Sequence, residues 1–136
     1  MEKSKVYFTD FRTVNGVGLP TKLSKLCRKA GILDMDLENK FVAIKIHFGE
    51  LGNIAYLRPN YAKAVADLVK EGGGMPFLTD CNTLYPGSRK NALEHISCAQ
   101  ERCSRAFFRE PGYMVLQSVR NGFPPSSFTT STTALA

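Results

Sequence analysis

Lys45 and His47 stand two residues apart in the stretch FVAIKIHFGELGN, residues 41–53. A strand sends alternate side chains to opposite faces. Lys45 and His47 therefore point the same way, opposite Val42, Ile44, Ile46 and Phe48. An ammonium group there can hold an anionic ligand. Because like charges disfavour each other, it also favours a neutral imidazole, which can act as a base or a metal ligand. Glu50 and Asn53 follow in a turn bracketed by Gly49 and Gly52. Those glycines permit close approach of the backbone to a ligand.

A second polar group follows the apolar run MPFLT: Asp80, Cys81, Asn82, Thr83, Tyr85, Ser88 and Arg89. Asp80 can orient a histidine or bind a cation. Ser88 and Arg89, read as opening a helix, can grip an anion through amide groups and the guanidinium. His47 and Asp80 are the catalytic candidates. Lys45, Glu50, Asn53, Asn82, Tyr85, Ser88 and Arg89 are the ligand-binding candidates. Each also has a structural reading. Lys45 can snorkel to water, His47 can bond loop backbone, Asp80 can satisfy loop amides and Ser88 can cap a helix. Cys81 reads as a small buried thiol before it reads as a nucleophile. No metal set is expected. Cys98 and Cys103 have the first spacing of a plant-type ferredoxin, but the third cysteine's position holds Ala106, and no C-x-x-C pair occurs.

The elements that must position these groups alternate. KVYFT (5–9) reads as a strand. LPTKLSKLCRKAGI reads as a helix, with Pro20 in its first turn, a stripe of Leu19, Leu23, Leu26, Cys27 and Ala30, and Gly31 as its stop. Phe41 to Phe48 reads as a second strand, apolar enough to be covered on both faces. A helix from Pro59 carries Tyr61, Val65, Leu68 and Val69 on one face and ends at Gly72-Gly73-Gly74. Residues 76–79 form the third strand. A last helix, capped by Ser88, carries Ala92, Leu93, Ile96 and Ala99. The order β-α-β-α-β-α predicts a Rossmann-like, three-layer α/β fragment with a short, mostly parallel sheet. In such open sheets ligands bind beyond the carboxyl ends of the strands. Both polar groups sit at strand ends, as does Asp10-Phe11-Arg12 after the first.

Composition excludes several classes. The 136 residues suit one modest core. The formal charge is +6, from 18 basic against 12 acidic residues, yet no dense basic stripe with interleaved aromatics is present, so nucleic acid is not an expected partner. No apolar run approaches the ~20 residues that span a bilayer. MEKSKVYFTD lacks the apolar core of a secretory signal. The expectation is a cytoplasmic protein with no membrane partner. Residues 111–136 contain no acidic residue and end Ser/Thr-rich behind Pro124 and Pro125. Tyr113 to Val119 can form a strand, and 120–136 are expected to be disordered.

Three strings, KVYFTDFRT, KFVAIKIHFGELGNIAYLRPNY and PFLTDCNTLYPGSRKNALEH, closely resemble the amino-terminal part of a prokaryotic family of unknown function, number 362 among such domains. Its members are often labelled uncharacterised iron–sulfur centre proteins. The likeness covers residues 4–95. Members usually continue further, and many end in a ferredoxin-like segment whose paired C-x-x-C-x-x-C motifs hold 4Fe-4S clusters. The resemblance therefore implies a redox setting and a redox partner for the intact parent. This chain has none of those motifs, so no cofactor is expected in it, and 4Fe-4S clusters belong only to full-length members. The family domain is accordingly read as 1–95, incomplete relative to the family, with 96–136 as a divergent tail. The tail is read as the product of a frameshift or an assembly error: reading Cys98 to Cys103 one nucleotide later permits the Asn-Gly turn that relatives carry. The coding DNA decides it, since no family-like sequence in any other frame after position 95 excludes a frameshift.

The resulting expectation is the amino-terminal portion of an iron–sulfur-associated protein that binds a small anionic ligand at its strand ends in a redox context. The alternatives are a non-catalytic ligand-binding or scaffold domain, and an inactive truncated fragment.

Overall fold

The computed structural model describes residues 3–47, 49–102 and 114–117. In chain order the elements are α1 (Leu19–Lys29), a short 3-10 helix (Ile32–Asp34), β1 (Phe41–Lys45), α2 (Pro59–Glu71), β2 (Met75–Cys81), α3 (Ala92–Arg102) and β3 (Met114–Gln117). This is a small α/β arrangement, as the alternating pattern implied. The strands form one sheet in the order β1-β2-β3. β2 pairs in parallel with β3, with Leu78 opposite Met114 and Cys81 opposite Gln117. Along β1 and β2, Met75 N donates to Lys40 O at 2.8 Å and Ile46 N donates to Thr79 O at 3.0 Å. The partners advance together, so this pair is parallel as well.

The chain divides into two compact units. The first comprises Met1–Val42 and Asn60–Pro76. Its apolar interior is Leu37, Ala62, Ala64, Ala66, Leu68 and Val69. In α2 the buried set is Ala62, Ala64, Ala66, Leu68 and Val69; of the stripe read from the sequence, Leu68 and Val69 are buried and Tyr61 and Val65 are half-buried, because the small alanines pack closest to the interior. Pro20 starts α1 without a lost hydrogen bond, and Gly31, at φ +91°, supplies the left-handed turn that ends it. The ε-ammonium of Lys22 gathers Asp10 O at 2.8 Å, Arg12 O at 2.8 Å and the Asp10 carboxylate, which pins the segment before α1.

The second unit comprises Ala43–Pro59 and Phe77–Ala136. Its interior is Ile46, Leu78, Cys98 and Ala99, and it also encloses Asp80, Arg89 and His95.

Five sequence expectations need correction. Residues 5–9 form no strand; Val6 and Phe8 are 89% and 85% exposed, so the segment's β propensity meets no neighbour to pack against. β1 ends at Lys45 rather than at Phe48, which lies outside the described residues. Its faces are unequal: Val42, Ile44 and Ile46 turn inward, while Phe41, Ala43, Lys45 and His47 are exposed, so it is not covered on both sides. In α3 the buried face is His95, Cys98 and Ala99, and Leu93 is exposed. The cap of α3 is Asn91, whose Oδ1 accepts from Glu94 N at 3.0 Å; Ser88 is engaged elsewhere. The strand read at Tyr113 to Val119 is present as β3. Cys103 and the 120–136 segment lie outside the described residues.

Candidate functional site

Three chain segments of the second unit bring their polar side chains together. β1 delivers Lys45 and, two residues on, His47. The Gly49–Asn53 turn delivers Glu50. The end of β2 delivers Asp80, and the loop after it delivers Tyr85, Ser88 and Arg89. Local geometry fixes each segment. Gly49 takes φ +78°, and a β-carbon there would meet the Tyr56 ring at 3.0 Å, so the sequence needs glycine at this corner. Asn53 N donates to Glu50 O at 3.0 Å and closes the turn. In the second loop Thr83 N donates to Arg89 O at 2.9 Å, which draws the two ends of the 83–89 segment together.

Arg89 is the hub. Its side chain is only 3% exposed. Nε donates to Glu50 Oε1 at 2.8 Å, Nη1 to Asp80 Oδ2 at 3.2 Å and Nη2 to Tyr85 Oη at 3.0 Å. Nη2 also lies 3.1 Å from His47 Nε2. A guanidinium presents its donors in a fixed planar fork, so one buried arginine can hold three loops in register. Glu50 is held in turn by Ser88 Oγ, which donates at 2.6 Å, by Ser88 N at 3.3 Å and by Tyr85 Oη at 3.3 Å. Burial opposes the ionisation of Glu50, but the hydrogen bonds from Ser88 and Arg89 and the guanidinium charge outweigh it. Its carboxyl lies below the ordinary range.

Asp80 is the second hub. Oδ1 accepts from Lys45 Nζ at 2.9 Å and from Cys81 N at 2.8 Å. Oδ2 accepts from Arg89 and lies 3.5 Å from His95 Nε2. Burial alone would raise its pKa. The His95 ring beside Oδ2, together with the hydrogen bonds from Lys45 and the Cys81 amide, overcomes that and holds the carboxyl well below the usual carboxylate range. Lys45 is held above its ordinary value, chiefly by its hydrogen bond to Asp80. Its side chain is nevertheless 62% exposed. An ammonium has three donors. The bond to Asp80 uses one of them.

His47 meets donors on both sides of its ring. Gly49 N donates to Nδ1 at 3.0 Å, and Arg89 Nη2 lies beside Nε2. A neutral imidazole has a single bare nitrogen. With Nδ1 accepting from Gly49, Nε2 carries hydrogen against the guanidinium; with Nε2 accepting from Arg89, the Gly49 bond is given up. The ring thus has two competing arrangements and stands exposed at the strand end.

Eight of the nine sequence candidates are therefore joined through Arg89, Glu50 and Asp80, directly or by one further link. Asn82 is the member joined by one further link, through His95, whose Nδ1 lies 2.9 Å from Asn82 Oδ1. Asn53 is not brought in: its Oδ1 accepts from Ala55 N at 2.8 Å and shapes its own turn. His95 was missed as a site residue. It lies on an apolar helical stripe, where the periodicity marks a core position and gives no sign of the carboxylate opposite. Cys81 is half-buried beside Asp80, while Cys98 is buried with Sγ 3.5 Å from Ser88 Oγ; both are free thiols, as is Cys27. Among the described residues no group of three or more His, Cys, Asp or Glu side chains is placed to hold a metal ion, and no helix is long and apolar enough to cross a membrane.

The fold and the cluster define an α/β protein with its charged groups gathered at the strand ends. The chain belongs to the family described as "Domain of unknown function (DUF362)", whose model matches residues 42–128. That span contains every residue of the cluster. It begins and ends later than the 4–95 stretch that carries the resemblance in the sequence. No curated protein and no solved structure matches the chain.

Proposed function

We propose that this chain binds a small anionic ligand at the carboxyl ends of β1 and β2, with Lys45 and His47 as the groups that meet it. One observation carries the reading: Lys45 is bonded to a buried carboxylate yet keeps most of its side chain in solvent, beside the exposed His47. Such an ammonium is already oriented, so a ligand does not have to freeze it. Tyr85, half exposed on the same network, extends the contact. Arg89, Glu50, Ser88 and Asp80 form the internal frame behind these groups rather than the contact surface.

The reading favours recognition over catalysis by Asp80. A carboxylate held so firmly ionised is a poor proton acceptor near neutral pH. It acts as the counter-ion of Lys45 and Arg89. His47 is the remaining group for proton transfer, and its two competing arrangements suit a ring that a ligand can turn. A redox setting, with 4Fe-4S clusters in longer relatives, stays part of the proposal on the strength of the family resemblance. A cytoplasmic location is proposed with it, supported by the free thiols of Cys27, Cys81 and Cys98.

The experiment is an amide NMR titration of the full chain with inorganic phosphate and, separately, citrate. Shifts should concentrate at residues 43–50 and 80–89. Lys45→Met should weaken binding about tenfold, the expected cost of one charge-assisted contact. Absence of localised shifts with both anions, or unchanged affinity in Lys45→Met, would overturn the proposal.

A further inference from the structure

Among the described residues, His95 is the one buried side chain of the second unit whose presence neither apolar packing nor the Arg89 fork explains. It is fully enclosed. Its ring lies between two polar partners: Nδ1 is 2.9 Å from Asn82 Oδ1, and Nε2 is 3.5 Å from Asp80 Oδ2. Asp80 Oδ1, the other oxygen of that carboxylate, holds Lys45 at 2.9 Å. The charged and polar groups on Asp80 are thus Lys45, Arg89, His95 and the Cys81 amide. Burying a polar ring costs free energy unless hydrogen bonds compensate it. A leucine or methionine would fill the same helical position without that cost. What the ring adds is direction.

We propose that His95 is a positioning residue, which directs a proton on Nε2 at Asp80 Oδ2 and so fixes the carboxylate that holds Lys45 toward a ligand. A carboxylate turns about a soft, roughly two-fold torsion. The Cys81 amide holds Oδ1 at 2.8 Å and Arg89 holds Oδ2 at 3.2 Å, each from one side. A further donor on Oδ2 narrows the rotation left to the carboxylate and keeps Oδ1 directed at Lys45. Asn82 completes the chain, because its amide carries both an acceptor and a donor end and can meet Nδ1 with or without a proton. The line Asn82–His95–Asp80–Lys45 thereby joins α3 to the end of β1 through the end of β2. It rests on the reading of Lys45 as a ligand contact for its purpose, though not for its geometry.

The test therefore has readouts that need no ligand. In the wild-type chain, long-range ¹⁵N–¹H spectra of the imidazole should show hydrogen on Nε2; a ring protonated on Nδ1 alone overturns the proposal. The Lys45 ammonium should give a ¹⁵N resonance protected from rapid exchange while it is held on Asp80. His95→Gln places an amide donor near the Nε2 position, whereas His95→Asn places its amide near Nδ1. His95→Gln should keep the Lys45 resonance, and His95→Asn, if folded by circular dichroism, should lose it. Phosphate affinity should fall severalfold in His95→Asn and stay near wild type in His95→Gln. Retention of the ammonium signal in a folded His95→Asn variant, or its loss in a folded His95→Gln variant, overturns the role of His95. If neither variant folds, the wild-type tautomer decides. An intact Lys45 signal with no phosphate binding in wild type would leave the positioning role standing and remove the anion reading instead.

Discussion

The two units bury different chemistry. In the first, the enclosed side chains of α2 and of the segment before β1 are Leu37, Ala62, Ala64, Ala66, Leu68 and Val69, all apolar. In the second, Ile46, Leu78, Cys98 and Ala99 share the interior with Asp80, Arg89 and His95. Apolar burial is non-directional and scales with area, so the first unit can trade one aliphatic side chain for another at modest cost. A buried ion cluster is directional: each charge repays its desolvation only while its partners stay in place. The difference teaches where each property resides. The first unit contributes packing, and the second contributes directional polar contacts and the candidate site.

The comparison is most exposed at Arg89. Arg89→Met removes one cation from between Glu50 and Asp80 and leaves two carboxylates inside. It should cost about 3–5 kcal/mol in urea unfolding. A cost below about 1 kcal/mol would mean that the fork is replaceable by apolar volume, and the contrast between the units would collapse. Leu68→Ala, in the first unit, should cost about 2–5 kcal/mol through lost contacts and a residual cavity. The two variants should differ in kind as well as size. Loss at Leu68 should be the same at pH 7 and pH 4.5, whereas loss at Arg89 should change with pH.

Acid provides the next test. Asp80 and Glu50 both have folded-state values below their unfolded ones. Groups of this kind contribute fully above the unfolded carboxylate range and lose that contribution as pH falls toward the folded values. The chain should lose stability on the order of 2 kcal/mol as pH drops from about 5 toward 2. Urea midpoints measured across that range should flatten in Asp80→Asn, with a smaller change in slope for Glu50→Gln. An unchanged slope in Asp80→Asn would show that the acid response originates elsewhere.

The smallest effect should come from the exposed ion pairs of α2. Lys63 and Asp67 lie one turn apart, with Nζ 2.7 Å from Oδ2, and both are exposed. Asp67→Asn should cost no more than about 0.5 kcal/mol, because solvent screens the pair and ordering two side chains offsets the attraction. A loss comparable with that at Arg89 would break the distinction between enclosed and exposed charge on which the comparison depends.

Much of the fold was legible because its signals are local. Pro20 and Gly31 punctuate α1, the three glycines close α2, and the apolar runs at Phe41 and Met75 mark β1 and β2. The strand read at residues 5–9 failed for a non-local reason. β propensity reports how well a side chain fits a half-buried pleated surface, and no such surface receives Val6 or Phe8. The cap of α3 was misplaced by three residues for a similar reason. Ser88 can cap, but a carboxylate distant in sequence supplies it with a shorter bond.

For the site, alternation along β1 determined that Lys45 and His47 share a face, and the strand-end rule placed both polar groups where the cluster lies. The sequence also determined their residue types, and so the charges available. Only the tertiary structure decided who holds whom. It separated Lys45 and His47, which face solvent, from Arg89 and Asp80, which are enclosed. It left Asn53 in its own turn and drew in His95 from an apolar stripe. The physical reason is that these contacts join residues far apart along the chain: Lys45 to Asp80, Arg89 to Glu50, His95 to Asp80. Spacing along the chain fixes which face a side chain takes. Packing of separate segments fixes the partner it finds there, and with it whether a charge becomes a contact for ligand or a strut behind one.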